Sequence, residues 1–146
     1  MSKGNTFEND LLQLLFNNVD IADIGDASGI QNSAAAGSLY VALHTGDPGE
    51  AGTAATNESA YGSYARQAVA RSAAGWTVSG NQAVNFALIQ FPECTSGSET
   101  ITHVSITTAV SGTSKILYSG ALSASRAVSS GIQPQFAASA LTVTED

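Results

Sequence analysis

Leu39-Tyr40-Val41-Ala42-Leu43-His44-Thr45-Gly46-Asp47-Pro48-Gly49-Glu50 reads as a strand running into a turn. Its first five residues form an apolar run of strand length. Pro48 and Gly49 then fall at the two central positions of a type II turn. Proline presets φ at the first of these, and glycine tolerates the positive φ that the second demands.

The same alternation of short apolar or β-branched runs with turn residues continues downstream. Tyr64 to Arg71, Trp76 to Ser79 (closed by Gly80-Asn81), Ala83 to Phe86 and Leu88 to Phe91 (stopped by Pro92) are expected strands. Ile101 to Ile106, Lys115 to Leu122, Val128 to Ile132, Gln135-Phe136 and Leu141 to Thr144 complete the set. No helical signal separates these strands, which excludes βαβ units. The expected fold is mainly β, an antiparallel β-sandwich or jelly roll with one N-terminal α-helix.

That helix is expected over residues 6–17. Phe7, Leu11, Leu14 and Leu15 recur at helical period and make one apolar stripe, which Leu12, Phe16 and Val19 widen. Asn5 is a candidate cap, with Glu8 three residues on in the manner of a capping box. From Asn17 to Gly37 the chain is rich in Asn, Asp, Gly, Ser and Ala, a long connection of the kind that is usually functional or mobile. The expected division is residues 1–37, helix and extended arm, and residues 38–146, β-sandwich domain.

Charged residues make up 12% of the chain, against about 25% in average proteins. Ala, Gly, Ser and Thr supply nearly half of it. Small hydroxylated and apolar side chains suit backbones that approach closely in large assemblies. The net charge is −7, and residues 1–58 carry all of that excess. No Lys/Arg cluster exists, so the footprint of a direct nucleic-acid binder is missing. Cys94 is the only cysteine, which excludes an internal disulfide and a Cys-based zinc site. No apolar run approaches the roughly 18 residues that suggest a membrane span. The chain is expected to be made in a cytoplasm, with no membrane and no nucleic acid among its partners.

Leu39 to Thr53 resembles a family of small virion structural proteins of tailed bacteriophages. The likeness extends through Ala55-Thr56-Asn57-Glu58, Tyr64-Ala65-Arg66, Val69-Ala70-Arg71, Gly75-Trp76-Thr77-Val78 and Ile89-Gln90-Phe91-Pro92. It continues in Glu99-Thr100-Ile101-Thr102-His103, Lys115 to Gly120, the ending Leu141 to Asp146, and the opening Gly4 to Leu12. Members are tail-fibre-like or resemble head-decoration subunits. The resemblance implies a virion component and brings no catalytic residues with it.

Nothing in the residues assembles a stronger case for chemistry. His44 and His103 are the only histidines, and neither has a Gly-x-Ser-x-Gly elbow beside it. Cys94 with His103 could form a nucleophile and base only if the fold joined them. Asp20, Asp23 and Asp26 offer oxygens to a cation but lack the spacing of an EF-hand loop and its closing Glu. Glu93 and Glu99 are a glycosidase pair by count alone. Trp76 is either a core anchor or an interface hot spot. No catalytic residue, cofactor or metal is therefore assigned.

The leading expectation is a non-enzymatic capsid decoration (cement) protein that binds and reinforces the head. It would be present in many copies, self-associate and partner the major capsid protein. Phe7, Leu11, Leu14, Leu15, Phe16 and Trp76 are the expected interface residues. The alternatives are a tail or tail-fibre-associated subunit and a carbohydrate-binding module for host attachment.

Overall fold

The computed structural model describes residues 2–146 and is mainly β, with antiparallel sheets and a single N-terminal helix. The elements in chain order are α1 (Asn5–Asn17), β1 (Ser38–His44), β2 (Gln67–Ala70), β3 (Trp76–Ser79) and β4 (Gln82–Asn85). They continue with β5 (Ile89–Gln90), β6 (Ser98–Thr107), β7 (Ile116–Ser129), β8 (Gln135–Phe136) and β9 (Thr142–Thr144). The strands form a four-stranded sheet of order β2-β1-β6-β7, a three-stranded sheet β3-β4-β9, and the short pair β5-β8.

The chain divides into two compact units. The first comprises residues 1–38, 69–88 and 136–146, and the helix with its following arm lies in it beside β3, β4 and β9. The helix buries Glu8, Leu12 and Phe16, positions spaced by one turn that face the same way. The stripe expected from Phe7, Leu11, Leu14 and Leu15 is one step round the helix from that face, with Phe7 exposed and the leucines half-buried. Phe16 meets Trp76 edge to face at 4.8 Å between ring centroids, the arrangement that ring quadrupoles favour.

The ends of the helix are fixed differently from expectation. Gly4, extended at φ −80°, is the N-cap, and no side chain caps the helix start. Asn5 is already helical, so its side chain cannot serve as the cap. At the other end Asn18 adopts the left-handed conformation (φ 58°, ψ 40°) and its backbone N–H closes on the Gln13 carbonyl. The arm beyond is folded back as a loop, through an Ile21–Ile30 bridge and bonds from the Asn18 and Asn32 amides. Arg71 donates to the Leu15 carbonyl at 2.8 Å and to Ser33 Oγ at 3.0 Å, which ties the helix end to the loop.

The second unit, residues 39–68 and 89–135, contains most of the four-stranded sheet. β1 lies inside that sheet and is buried continuously from Val41 to His44, the pattern of a strand covered on both faces. β6 pairs with it from Tyr40–Thr107 to His44–His103 and is buried from Val104 to Thr107. Gly49, at φ +69°, turns the chain after β1 as its position beside Pro48 predicts. Residues 57–59 then return along β1, with Thr45 N–H donating to Asn57 O and Ser59 N–H to Leu43 O, both at 2.8 Å.

β7 corrects the expected strand boundaries. Lys115–Leu122 and Val128–Ile132 were expected as separate strands, but one 14-residue strand runs from Ile116 to Ser129. The register against β6 jumps between Ile101–Arg126 and His103–Ala121. Residues 122–125 therefore stand out as a bulge that carries the strand across the apparent break.

Candidate functional site

The polar groups that the sequence offers for chemistry are almost all engaged in holding the second unit together. His44 is fully buried, with Nδ1 2.9 Å from the Thr56 carbonyl and Nε2 2.7 Å from Ser105 Oγ. A carbonyl only accepts, so Nδ1 carries the proton and Nε2 accepts from the serine hydroxyl. Burial holds the His44 pKa below its ordinary value, partly offset by the Thr56 bond and the Glu58 charge. Ser105 and His44 thus share the hydrogen bond of a serine–histidine pair. A backbone carbonyl occupies the place of the orienting carboxylate, and both side chains are sealed from solvent. A substrate has no approach to either.

The strongest polar cluster surrounds Arg66. Its Nε and Nη2 donate to the two Glu58 oxygens at 2.6 and 2.8 Å, a fork-to-fork pair. Nη1 donates to the Ala109 carbonyl and Ser114 Oγ, and Nη2 also to the Gly112 carbonyl at 2.7 Å. One buried guanidinium therefore organises the loop between β6 and β7. Its hydrogen bonds to Glu58 push its pKa up. Tyr64 donates to Glu58 at 3.1 Å and accepts from Leu43 N–H, and burial raises its pKa. Tyr61 donates to the Pro92 carbonyl at 2.9 Å, and burial pushes its pKa up to about 12.

Sequence spacing did not reveal this clamp. Glu58 and Arg66 are eight residues apart across an irregular segment, where no helix or strand period relates them. Their only sequence signal is that the low charge content makes each arginine a candidate for a buried partner.

The remaining candidates are not brought together as chemistry requires. His103 is opposite His44 in the β1–β6 register, but its Nδ1 is bound to Thr102 Oγ1 at 2.8 Å. Cys94 is buried and its thiol donates to the Ser96 carbonyl at 3.3 Å. Glu99 accepts from Ser59 Oγ and Ala60 N–H, while Glu93 is exposed. Asp20 accepts from Asn32 N–H, and Asp26 from Ser28 and Gly29 N–H, bonds that close the arm's loop. Among the described residues no group of three His, Cys, Asp or Glu is placed to hold a metal ion.

The expected interface residues divide sharply. Phe16 and Trp76 are 0% exposed, so both lie in the interior of the first unit. Phe7 is 40% exposed, and Leu11, Leu14 and Leu15 are partly accessible. The sequence missed a second apolar display, Phe86 and Leu88, at 58% and 52% exposure. Asn85 anchors this loop: its amide donates to the Ala87 and Ala137 carbonyls at 2.8 Å, and its oxygen accepts from Leu141 N–H at 2.8 Å. A fully buried asparagine thus fixes the root of an exposed aromatic side chain.

No helix is long and apolar enough to cross a membrane among the described residues. No curated protein matches the chain. A family model described as podophage GP4 fiber I protein gp80 matches residues 2–144. With that match spanning nearly its whole length, the chain belongs to the podophage fiber I family, a family of phage virion structural proteins.

Proposed function

We propose that this chain is a non-enzymatic, fibre-associated subunit of a short-tailed phage virion that works by binding other virion proteins. The family match over residues 2–144 carries this reading. The placement of the polar side chains supports it, because His44, Glu58, Tyr61, Tyr64 and Arg66 are spent on internal hydrogen bonds. The head-reinforcing role rested on low charge and small size, which suit any subunit fixed in an assembly. The family favours the fibre.

Phe7 and the partly accessible Leu11, Leu14 and Leu15 are the proposed contact with a neighbouring virion protein. Burial of such side chains stabilises an interface by about 25 cal/mol per Å² of apolar area.

Deleting the gene tests the proposal. Particles should keep filled, stable heads, lack fibres in electron micrographs and adsorb poorly to the host. Particles with complete fibres and fragile heads would restore the decoration reading. Copy number gives a second readout, since a fibre subunit is limited by tail symmetry to far fewer copies than the shell protein.

A further inference from the structure

Within the first unit, the β3-β4-β9 sheet has one face covered and one open. Trp76, Ala83, Asn85 and Val143 point inward and are buried, on the side where Phe16 of the helix meets Trp76. The alternate positions point outward: Thr77 and Ser79 on β3, Gln82 and Val84 on β4, Thr142 and Thr144 on β9. The register sets Thr77 opposite Val84 and Ser79 opposite Gln82, with Thr144 and Thr142 on the far side of Gln82 and Val84. All but the half-buried Val84 are exposed. Phe86 is the next outward position after Val84. Its N–H donates to the Gly75 carbonyl at 2.9 Å, one step beyond the β3–β4 pairing, and its side chain is exposed.

This open face carries no charge. Between Arg71 and Glu93, and between Arg126 and Glu145, the chain has no Asp, Glu, Lys or Arg. Glu145 is turned inward and pairs with Lys3 at 3.0 Å. A sheet face that only meets water needs no aromatic ring at its end. Here Phe86 and Val84 make an apolar centre, with hydroxyl and amide side chains beside it. The ring's position is fixed by the buried Asn85, whose amide holds the Ala87 and Ala137 carbonyls and whose own carbonyl accepts from Ser139 N–H at 2.8 Å. Ser139 is held left-handed at φ 61°, a strained conformation for a residue other than glycine. It adds an exposed hydroxyl to the turn beside Phe86.

We propose that the open face of β3-β4-β9 binds a neutral glycan, with Phe86 stacked on the C–H face of one sugar ring and Thr77, Gln82 and Thr142 bonded to sugar hydroxyls. A sugar ring has an apolar C–H face and a rim of hydroxyls that both donate and accept. Threonine hydroxyls and glutamine amides also do both. An acidic glycan would need a cation to offset the hydration its charge loses on binding, and this face holds none. Side chains on a fixed sheet lose little freedom when the ligand arrives. The proposal rests on the fibre reading, which puts the chain where a cell surface is met, but the two fail separately. Virion location tests that reading, and glycan binding by the purified chain tests this one.

The probe is polysaccharide stripped from the host cell surface, separated by charge into neutral and acidic fractions and titrated calorimetrically into the full chain. The neutral fraction should bind, and equally well at 1 M salt, where the screening length falls to about 3 Å, because neither partner contributes a charge. Phe86→Ala should weaken binding by on the order of tenfold, the loss expected of an aromatic anchor. Phe86→Trp, which keeps a ring, should retain it. Gln82→Ala/Thr142→Ala should weaken it less, through lost hydrogen bonds. These side chains are exposed, so chemical melts of the variants should match the wild type. Amide shifts on titrating the wild type should cluster at residues 77–86 and 139–144, which locates the site even where a variant misfolds. Failure of the neutral fraction to bind overturns the proposal, as does binding that high salt abolishes. So do shifts centred elsewhere, or a Phe86→Ala variant that keeps its glycan and loses only its attachment to another virion protein.

Discussion

The unit around the helix and the unit around β1, β6 and β7 are held by different chemistry. In the first, Leu12, Phe16 and Trp76 exclude water, and side-chain amides together with the Arg71 guanidinium satisfy the backbone around them. With its nitrogen turned inward, the Asn17 amide lies 3.1–3.3 Å from the carbonyls of Phe16, Ser72 and Trp76, which its two N–H groups share. The opposite orientation would set its oxygen against three acceptors. In the second unit an ion pair, a neutral histidine and two tyrosines do the corresponding work inside the sheet and its loops. Both solutions consume their polar groups internally. What is left for function is surface: Phe7, the Phe86–Leu88 loop and the open face of the β3-β4-β9 sheet.

The sharpest way to break the second unit is Arg66→Ala. It strands a largely buried Glu58 carboxylate and frees the Ala109 and Gly112 carbonyls. Breaking one side of a buried pair costs about 3–5 kcal/mol, read as a lower urea midpoint. Phe16→Ala is the counterpart in the first unit, at about 3–5 kcal/mol for the lost ring and the cavity. The two losses should differ in salt response, with only the Arg66 variant's deficit depending on ionic strength.

Asn85→Ala should cost less, about 1–3 kcal/mol. Its local signature should be faster amide exchange at Leu141, whose N–H loses its acceptor.

A smaller effect separates the units by pH. In the unfolded chain His44 titrates near 6.5, and burial holds it lower in the folded one. Below 6.5 the unfolded state binds more protons, so this stabilisation is full above that pH and is lost as pH falls through the folded value. Glu58, Arg66 and His103 are the charged and titratable groups acting on it. Thermal melts of wild type should decline below pH 6.5, and His44→Gln should flatten that decline while lowering the plateau.

The smallest effect concerns the exposed strand. Gly120 sits in β7 at negative φ, with open space where a Cβ would go. Gly120→Ala should stabilise the chain by about 0.5–1 kcal/mol in a chemical melt.

The sequence made the strands legible wherever apolar residues were bounded by glycine, proline or asparagine. Trp76–Ser79 with Gly80-Asn81 after it is found as expected. β7 extends past its expected end because Ser119 to Ala127 has hardly any apolar content, and an exposed edge strand needs none. The helix was found but its buried face was assigned one residue off, since the chain places apolar side chains at both 11 and 12 and at both 15 and 16. Periodicity alone does not choose between adjacent positions. Trp76 reads in the sequence both as a core anchor and as an interface residue, and its burial puts it in the interior of the first unit. The Arg66 clamp and the Asn85 hub leave little trace there, because apart from Glu58 their partners are mainly backbone groups, most of them far along the chain, and backbone groups leave no mark in a sequence.

Gold-labelled antibody against the chain, imaged on intact virions, tests the central claim most directly. The account predicts label at the tail fibres, in a number fixed by tail symmetry. Label spread over the head shell, or none on purified particles that retain their fibres, would contradict it.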